Sequence, residues 1–191
     1  LPLNQPREIL DEGIAFVTED RRGVGLLLDD SIEDNIAISA LQIKNKFLKN
    51  IAGMNIIAKK EIREYALQMI EELDIRCTGP RQKTGQLSGG NQQKVCIARA
   101  LTLEPDIIMV SEPTRGIDVG AKKIVLDLLE KLNKELGMTV IITSSELAEL
   151  RSISDRIAII FEGKLEGILA PDASDVDFGL MMAGEGKGEE L

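Results

Sequence analysis

The chain has 191 residues, enough for one domain with a sizeable core, and at 43% hydrophobic and 29% charged it holds no uninterrupted apolar run near the ~18 residues that a membrane-spanning helix needs. A net charge of -9 repels a phosphate backbone and argues against a nucleic-acid partner, while two cysteines are too few for a disulfide framework or a zinc site. With no histidine, every catalytic triad, metal site or acid–base role that needs an imidazole is excluded, so proton chemistry falls to carboxylates. No secretory signal precedes the first predicted strand, and the expectation is a cytosolic protein.

In chain order, residues 1–12 read as a short helix through Pro6, Ile9 and Leu10, capped by Asn4 and ended by Gly13. Ile14-Ala15-Phe16-Val17-Thr18 has the make-up of a strand, and the charged cluster Glu19-Asp20-Arg21-Arg22 after it reads as a solvated loop. Ser31, followed by Glu33 and Asp34, caps an amphipathic helix through Ile32, Ile36 and Leu41. Residues 42–57 mix Lys44, Lys46 and Lys49 with Phe47, Leu48, Ile51, Met54, Ile56 and Ile57. Such a stretch suits a membrane surface or the interior of a helical subdomain, and its modest charge favours packing. Ala58 to Leu73 carries Ile62, Ala66, Met69, Ile70 and Leu73 on one helical stripe, and the breaker-rich segment 76–85 ends it.

Leu87-Ser88-Gly89-Gly90-Asn91 then places a hydroxyl and two glycines ahead of a helical run from Gln92 to Leu101. A helix start with a bare backbone is an anion site, although a serine that simply caps the helix is the plainer alternative. Asp106 to Ser111 is a buried strand that delivers Glu112 at its C-terminal end, where ligands bind in parallel sheets. Pro113 to Asp118 is a turn, and Val119 to Leu136 is a helix with Ile124, Leu128, Leu132 and Leu136 at core spacing. Met138 to Thr143 reads as another buried strand; strand, helix and strand at these lengths make a parallel βαβ unit. Ser144-Ser145-Glu146 opens a short helix, 156–161 and 164–169 form a hairpin around Glu162-Gly163, a helix includes Phe178, Leu180 and Met181, and the segment from Gly184 to Glu190 reads as disordered.

LSGGNQQK followed by EPTRGIDVGAK resembles the signature motif and Walker B region of ATP-binding cassette (ABC) ATPases. In detail it is similar to the second cassette of monosaccharide-importer ATPases, of the ribose and galactose type, that carry two cassettes in one chain. The resemblance implies an α/β, P-loop NTPase-like fold: a parallel sheet flanked by helices, with a helical subdomain. No G-x-x-x-x-G-K-[ST] occurs in the 191 residues, so the N-terminal part of the cassette, with its phosphate cradle, is expected to be absent. The implied divisions are 1–30, the end of the nucleotide-binding core with a Q-loop-like segment; 31–86, the helical subdomain; 87–170, the signature helix, Walker B, D-loop and switch region; and 171–191, a C-terminal helix and flexible acidic tail.

The resemblance also implies roles. Glu112 stands in the place of the catalytic glutamate that polarises water, and Ser88, Gly89 and Gly90, with Asn91 and Gln92 beside them, resemble residues that contact the γ-phosphate of ATP held by the opposite cassette. Asp118 resembles the D-loop aspartate, and Glu19 occupies the Q-loop position, where it loses the donor half of the usual glutamine and joins Ser111 near the magnesium. Ser111 stands where an aspartate normally supports that metal, and Ser145 where many members carry a switch histidine. ATP and Mg2+ are the implied cofactors. The implied partners are a first ATP-binding cassette, transmembrane permease subunits and, indirectly, a periplasmic or lipid-anchored solute-binding protein; the implied place is the cytoplasmic face of the membrane. A cassette that has lost catalysis and serves as a docking and regulatory module is the alternative.

Overall fold

The computed structural model describes residues 4–185; residues 1–3 and 186–191, which include most of the tail read as disordered, lie outside the described residues. Residues up to Thr143 form one compact unit and those from Ser144 a second. The first unit runs α1 (Pro6–Asp11), β1 (Ile14–Val17), a turn of π-helix (Arg21–Gly25), α2 (Ile32–Ile43), β2 (Leu48–Ile51), β3 (Met54–Ile57), α3 (Lys59–Glu72), α4 (Gly89–Leu101), β4 (Ile107–Ser111), α5 (Val119–Lys134) and β5 (Thr139–Thr143). Pro6 takes the first helical position of α1, but the cap is Gln5 and not Asn4, and no side chain bonds the helix end.

The sheet of this unit has the order β1-β4-β5, all parallel, with Phe16 beside Met109 and Met109 beside Ile141. Successive side chains alternate between its faces. Ala15, Val17, Ile108 and Val110 are buried, with α4 against β1 and α5 against β5, whereas Phe16, Met109 and Ile141 form a row across the other face, 61%, 37% and 43% exposed. Parallel sheets are ordinarily covered on both faces. Among the described residues of this unit one face is covered, and the outer edge of β5 pairs with no strand. The expectation of a buried strand at 138–143 is corrected accordingly: alternate residues of β5 are exposed because no described element of this unit lies over them.

Two helices differ in their details from the sequence reading. In α5 the buried stripe is Val125, Leu128, Leu129 and Leu132, while Ile124 and Leu136 are exposed. A spacing of four throughout drifts around the helix, so its two ends leave the face that meets the sheet. Residues 42–57 were expected to pack inside a helical subdomain; instead they form the antiparallel hairpin β2–β3, whose Ile51, Met54, Ile56 and Ile57 are all exposed. Phe47, at its base, enters the core, against Tyr65 of α3, and Ile43 packs at the core's edge.

Beside the sheet, α2 packs on α3 and α4. Ser31 caps α2 by accepting from the Asp34 N–H, as its sequence pattern predicts. Arg63 of α3 donates through Nε and Nη2 to both Glu33 oxygens, at 3.0 and 2.9 Å, and this fork holds the Glu33 carboxyl below its ordinary range. A lowered native pKa adds stability above the unfolded-state value and loses it as pH falls through the native one. The gap in urea midpoint between the wild type and Arg63→Met is therefore expected to be constant near neutrality and to close below the ordinary glutamate value of about 4.3; a gap as wide at pH 3 as at pH 7 would show that the ion pair is not its source.

The second unit consists of α6 (Leu147–Ile153), the antiparallel hairpin β6 (Ile157–Phe161) and β7 (Lys164–Leu169), and α7 (Asp175–Met182). Its core is Ile157, Ile159 and Phe178. The Arg151 guanidinium lies 4.6 Å from the Phe178 ring and donates to the Ala173 carbonyl at 2.8 Å. No described helix of either unit is long and apolar enough to cross a membrane.

Candidate functional site

The helix α4 begins at Gly89, and its N-cap Ser88 does not cap it: no side chain bonds the first-turn N–H groups. The Ser88 hydroxyl oxygen instead accepts from Asn91 Nδ2 at 2.9 Å, and Asn91 Oδ1 accepts from the Arg76 N–H at 2.9 Å. The orphan N–H groups of the first turn and the positive end of the helix dipole are left for an anion, and Ser88 keeps its own O–H as a donor.

Both glycines here have a packing reason that needs no ligand. A Cβ at Gly90 would lie 2.8 Å from the Ala121 Cβ, so the close approach of α4 and α5 requires its absence. At Gly89 a Cβ would lie 3.0 Å from Arg21 Nη2 and 3.1 Å from the Gly116 carbonyl oxygen. Gln92 departs from its expected cofactor role. It is 1% exposed, and its Nε2 donates to the Leu87 carbonyl at 3.2 Å, so it braces the entry to α4 from inside.

Asp118 caps α5, its Oδ1 accepting from the Ala121 N–H at 3.0 Å. The start of α5 thereby faces the start of α4 across a cavity of about 390 Å³ that Ser88, Gly90, Asn91 and Asp118 line together with Arg76 and Lys94. The buried Lys94 ammonium is turned to Asp74, donating to its carbonyl at 2.6 Å and lying 3.4 Å from its Oδ2. Four of the residues singled out in the sequence thus share one cavity.

Glu112 follows β4 directly. Its N–H donates to the Thr143 carbonyl at 2.8 Å and its φ is +46°, a left-handed conformation that turns the chain sharply out of the sheet. The side chain is half-buried. Strain of this kind at a strand end fits a carboxylate presented at the ligand-binding edge of a parallel sheet. Ser111 accepts a hydrogen bond from the Thr143 hydroxyl at 3.1 Å. Glu19 pairs with Arg115 Nη1 at 2.9 Å on the surface. Ser145 belongs to the second unit, in the turn ahead of α6.

The site as built fits an anion better than a metal. Among the described residues no group of three acids or cysteines converges on a point, and Ser111 offers one hydroxyl already engaged by Thr143. These residues by themselves do not fit a magnesium ion. Burial pushes the Cys96 thiol up to about 12, which makes it a small apolar residue of α4 and not a nucleophile.

Sequence reasoning missed Arg21. It reads as one of four charged residues in a solvated loop, yet it is 8% exposed, with Nη1 donating to the Arg115 carbonyl at 2.6 Å and Nη2 to the Gly116 carbonyl at 2.9 Å. Its partners lie more than ninety residues away, and no local pattern signals them.

A three-stranded parallel sheet with helices on one face makes this an α/β protein, and a family model for ABC transporters matches residues 3–115: the chain belongs to that family. It is similar to the ribose import ATP-binding protein RbsA of Lactococcus lactis subsp. lactis (strain IL1403), 37% identical over 98% of this chain and 36% of that protein. To the protein of the same name from Caldanaerobacter subterraneus subsp. tengcongensis it is 42% identical over 86% of this chain and 32% of the relative. The chain therefore spans about a third of the length of these relatives. Among solved structures, the dimeric post-hydrolysis state of the cassette MJ0796 bound to ADP and Pi superposes with a TM-score of 0.69 at 26% identity, over 91% of this chain and 69% of that one. A nucleotide-free cassette from an ABC transporter, at 21% identity and a TM-score of 0.67 over 87% of this chain and 64% of that one, shares the fold.

Proposed function

We propose that this chain supplies the signature-motif side of an ATP-hydrolysing site in an ABC importer for a monosaccharide such as ribose. The observation that carries this reading is the single cavity onto which the uncapped start of α4, with Ser88 and Asn91, and the Asp118 cap of α5 both open. The names of the curated relatives supply the direction of transport and the solute.

In this reading ATP is held by a phosphate cradle outside these residues, on a first ATP-binding cassette that closes against α4. The Ser88 O–H and the first-turn N–H groups of Gly89, Gly90 and Asn91 then donate to the γ-phosphate, with the helix dipole favouring its charge. Asp118 holds the interface beside α4, while Glu112, which does not line that cavity, serves this chain's own nucleotide pocket, where it orients the attacking water. Any magnesium would come with the nucleotide, its ligands supplied from outside these residues, since Ser111 is bonded to Thr143 and Glu19 to Arg115. The assembly works with transmembrane permease subunits and, through them, with a solute-binding protein, on the cytoplasmic face of the membrane; a net charge of -9 disfavours nucleic acid as its partner.

Calorimetric titration of the 191-residue chain with magnesium-ATP is expected to give no heat of binding. Saturable binding would mean a complete nucleotide site within these residues and would overturn the assignment. One observation favours a second reading, a docking and regulatory module without catalysis: at position 111 a hydroxyl bonded to Thr143 stands where the family places a metal-supporting aspartate. Glu112→Gln separates the two, since it lowers turnover only in a cassette that hydrolyses.

A further inference from the structure

We propose that Arg76 is a nucleotide-binding residue: its guanidinium donates to phosphate oxygens of the ATP that a facing cassette brings to the start of α4, and it supplies the positive charge of that site. The inference rests on the proposed function, which puts Ser88 to Asn91 at the nucleotide.

The chain fixes the Arg76 backbone from both sides. After α3, Asp74 takes a left-handed φ of +47°, which turns the chain out of the helix. Ile75 is buried, and its N–H donates to the Ile70 carbonyl at 2.9 Å. The Arg76 N–H then donates to Asn91 Oδ1 at 2.9 Å, and the other end of the same amide donates to Ser88 Oγ. One turn further along α4, Lys94 donates to the Asp74 carbonyl at 2.6 Å. Two side chains of α4 thus clamp the backbone of residues 74–76, and one of them also holds Ser88.

The Arg76 side chain takes no part in that clamp. It is 78% exposed and lines the cavity that Ser88, Asn91 and Asp118 share. Its Nε lies 4.0 Å from Asp74 Oδ2, a loose surface pair that holds it weakly. Nη1 and Nη2 donate to nothing among the described residues. A planar fork with two free donors matches two oxygens of a phosphate.

The charge of the cavity calls for such a group. Its lining holds two carboxylates, Asp74 and Asp118, and two cations, Lys94 and Arg76. The Lys94 ammonium is buried and turned to Asp74, while Asp118 Oδ1 caps α5. Without Arg76 the carboxylates outnumber the ammonium, and the lining repels the anion that the bare start of α4 favours. With it, a cation not spent inside the fold faces the place where ATP docks.

The test is Arg76→Gln in the transporter assembled with its permease. The clamp holds residue 76 by its backbone N–H, so the variant is expected to fold with an unchanged urea midpoint. Its KM for ATP is expected to rise ~10-fold, as the loss of one hydrogen bond to a charged group predicts, with kcat preserved. Arg76→Lys keeps the charge and is expected to recover part of the loss. Asp74→Asn works in the opposite sense: asparagine tolerates the left-handed φ and keeps the carbonyl that Lys94 binds, while a negative charge leaves the lining. It is expected to lower KM by ~3-fold, the size of one exposed charge pair. A KM for Arg76→Gln equal to that of the wild type overturns the proposal. So does a rise that Arg76→Lys does not relieve, or one that comes with a lower urea midpoint, which would make Arg76 a structural residue only. Should Arg76→Gln fail to fold, Asp74→Asn decides, and an unchanged or raised KM overturns the proposal. If Ser88→Ala slows turnover while Arg76→Gln leaves KM unchanged, the proposed function stands and this role alone falls. If the wild-type assembly shows no ATP turnover, the proposed function falls and this role with it.

Discussion

Replacing Asn35 by alanine is expected to lower the stability of the first unit by ~4 kcal/mol, because each buried polar group left unpaired costs ~1–3 kcal/mol. Asn35 is 0% exposed and uses its whole amide. Its Oδ1 accepts from the Leu27 N–H at 2.8 Å, while Nδ2 donates to the Leu27 carbonyl at 2.8 Å, the Ser31 carbonyl at 3.0 Å and Thr84 Oγ1 at 3.0 Å. Alanine leaves the buried Thr84 hydroxyl and the Leu27 N–H without this partner, while the Leu27 carbonyl keeps the Asp30 N–H at 3.1 Å. Aspartate is no remedy, since it replaces the donor by a buried charge. The measurement is urea unfolding followed by far-ultraviolet circular dichroism; a loss below about 1 kcal/mol would mean that water replaces the amide. The effect extends to function, because Thr84 opens the short 3-10 turn Thr84–Gln86 that leads into Ser88, and Gln92 braces the same approach from within.

Glu112→Gln is expected to lower ATP turnover in the assembled transporter by ~100- to 10,000-fold, the range that a positioned acid–base group contributes. The two side chains have the same shape, so the left-handed turn at position 112 and its N–H bond to Thr143 survive the change, and nucleotide affinity is expected to hold. A fall in kcat with KM preserved marks an interaction made in the transition state. Turnover equal to the wild type would instead support the docking reading, in which the engaged hydroxyl of Ser111 marks a cassette that has ceased to hydrolyse.

Much of the architecture is legible in local patterns. The strand at 14–17, the helices at 59–72 and 89–101, the hairpin at 157–169 and the parallel βαβ unit all follow from period, length and turn residues. The errors have a common source. Ile51, Met54, Ile56 and Ile57 are apolar and so read as core, but a residue is buried only when another element lies over it, and the β2–β3 hairpin projects from the unit. The same holds for Ile124, Leu136 and the outward side of β5.

At the candidate site the sequence by itself determined the chemistry: which residue types occur, the Ser-Gly-Gly start of a helix, the acid at the end of a strand, and the lack of imidazole and of a Gly-rich Lys-Ser/Thr cradle. These are matters of composition and short spacing, and neighbours within a few residues set them. Tertiary structure alone decided how those groups are held. It turned Gln92 inward, gave the Ser88 oxygen to Asn91 and thus left the helix start uncapped, closed Gly90 onto Ala121, and drew Arg21 out of a charged loop onto carbonyls near Gly116. The Gly90–Ala121 and Arg21–Gly116 contacts depend on which distant segment packs alongside, of which a local pattern carries no record, whereas the Ser88–Asn91 and Gln92–Leu87 bonds span only a few residues and needed the helix to be built before they could be seen.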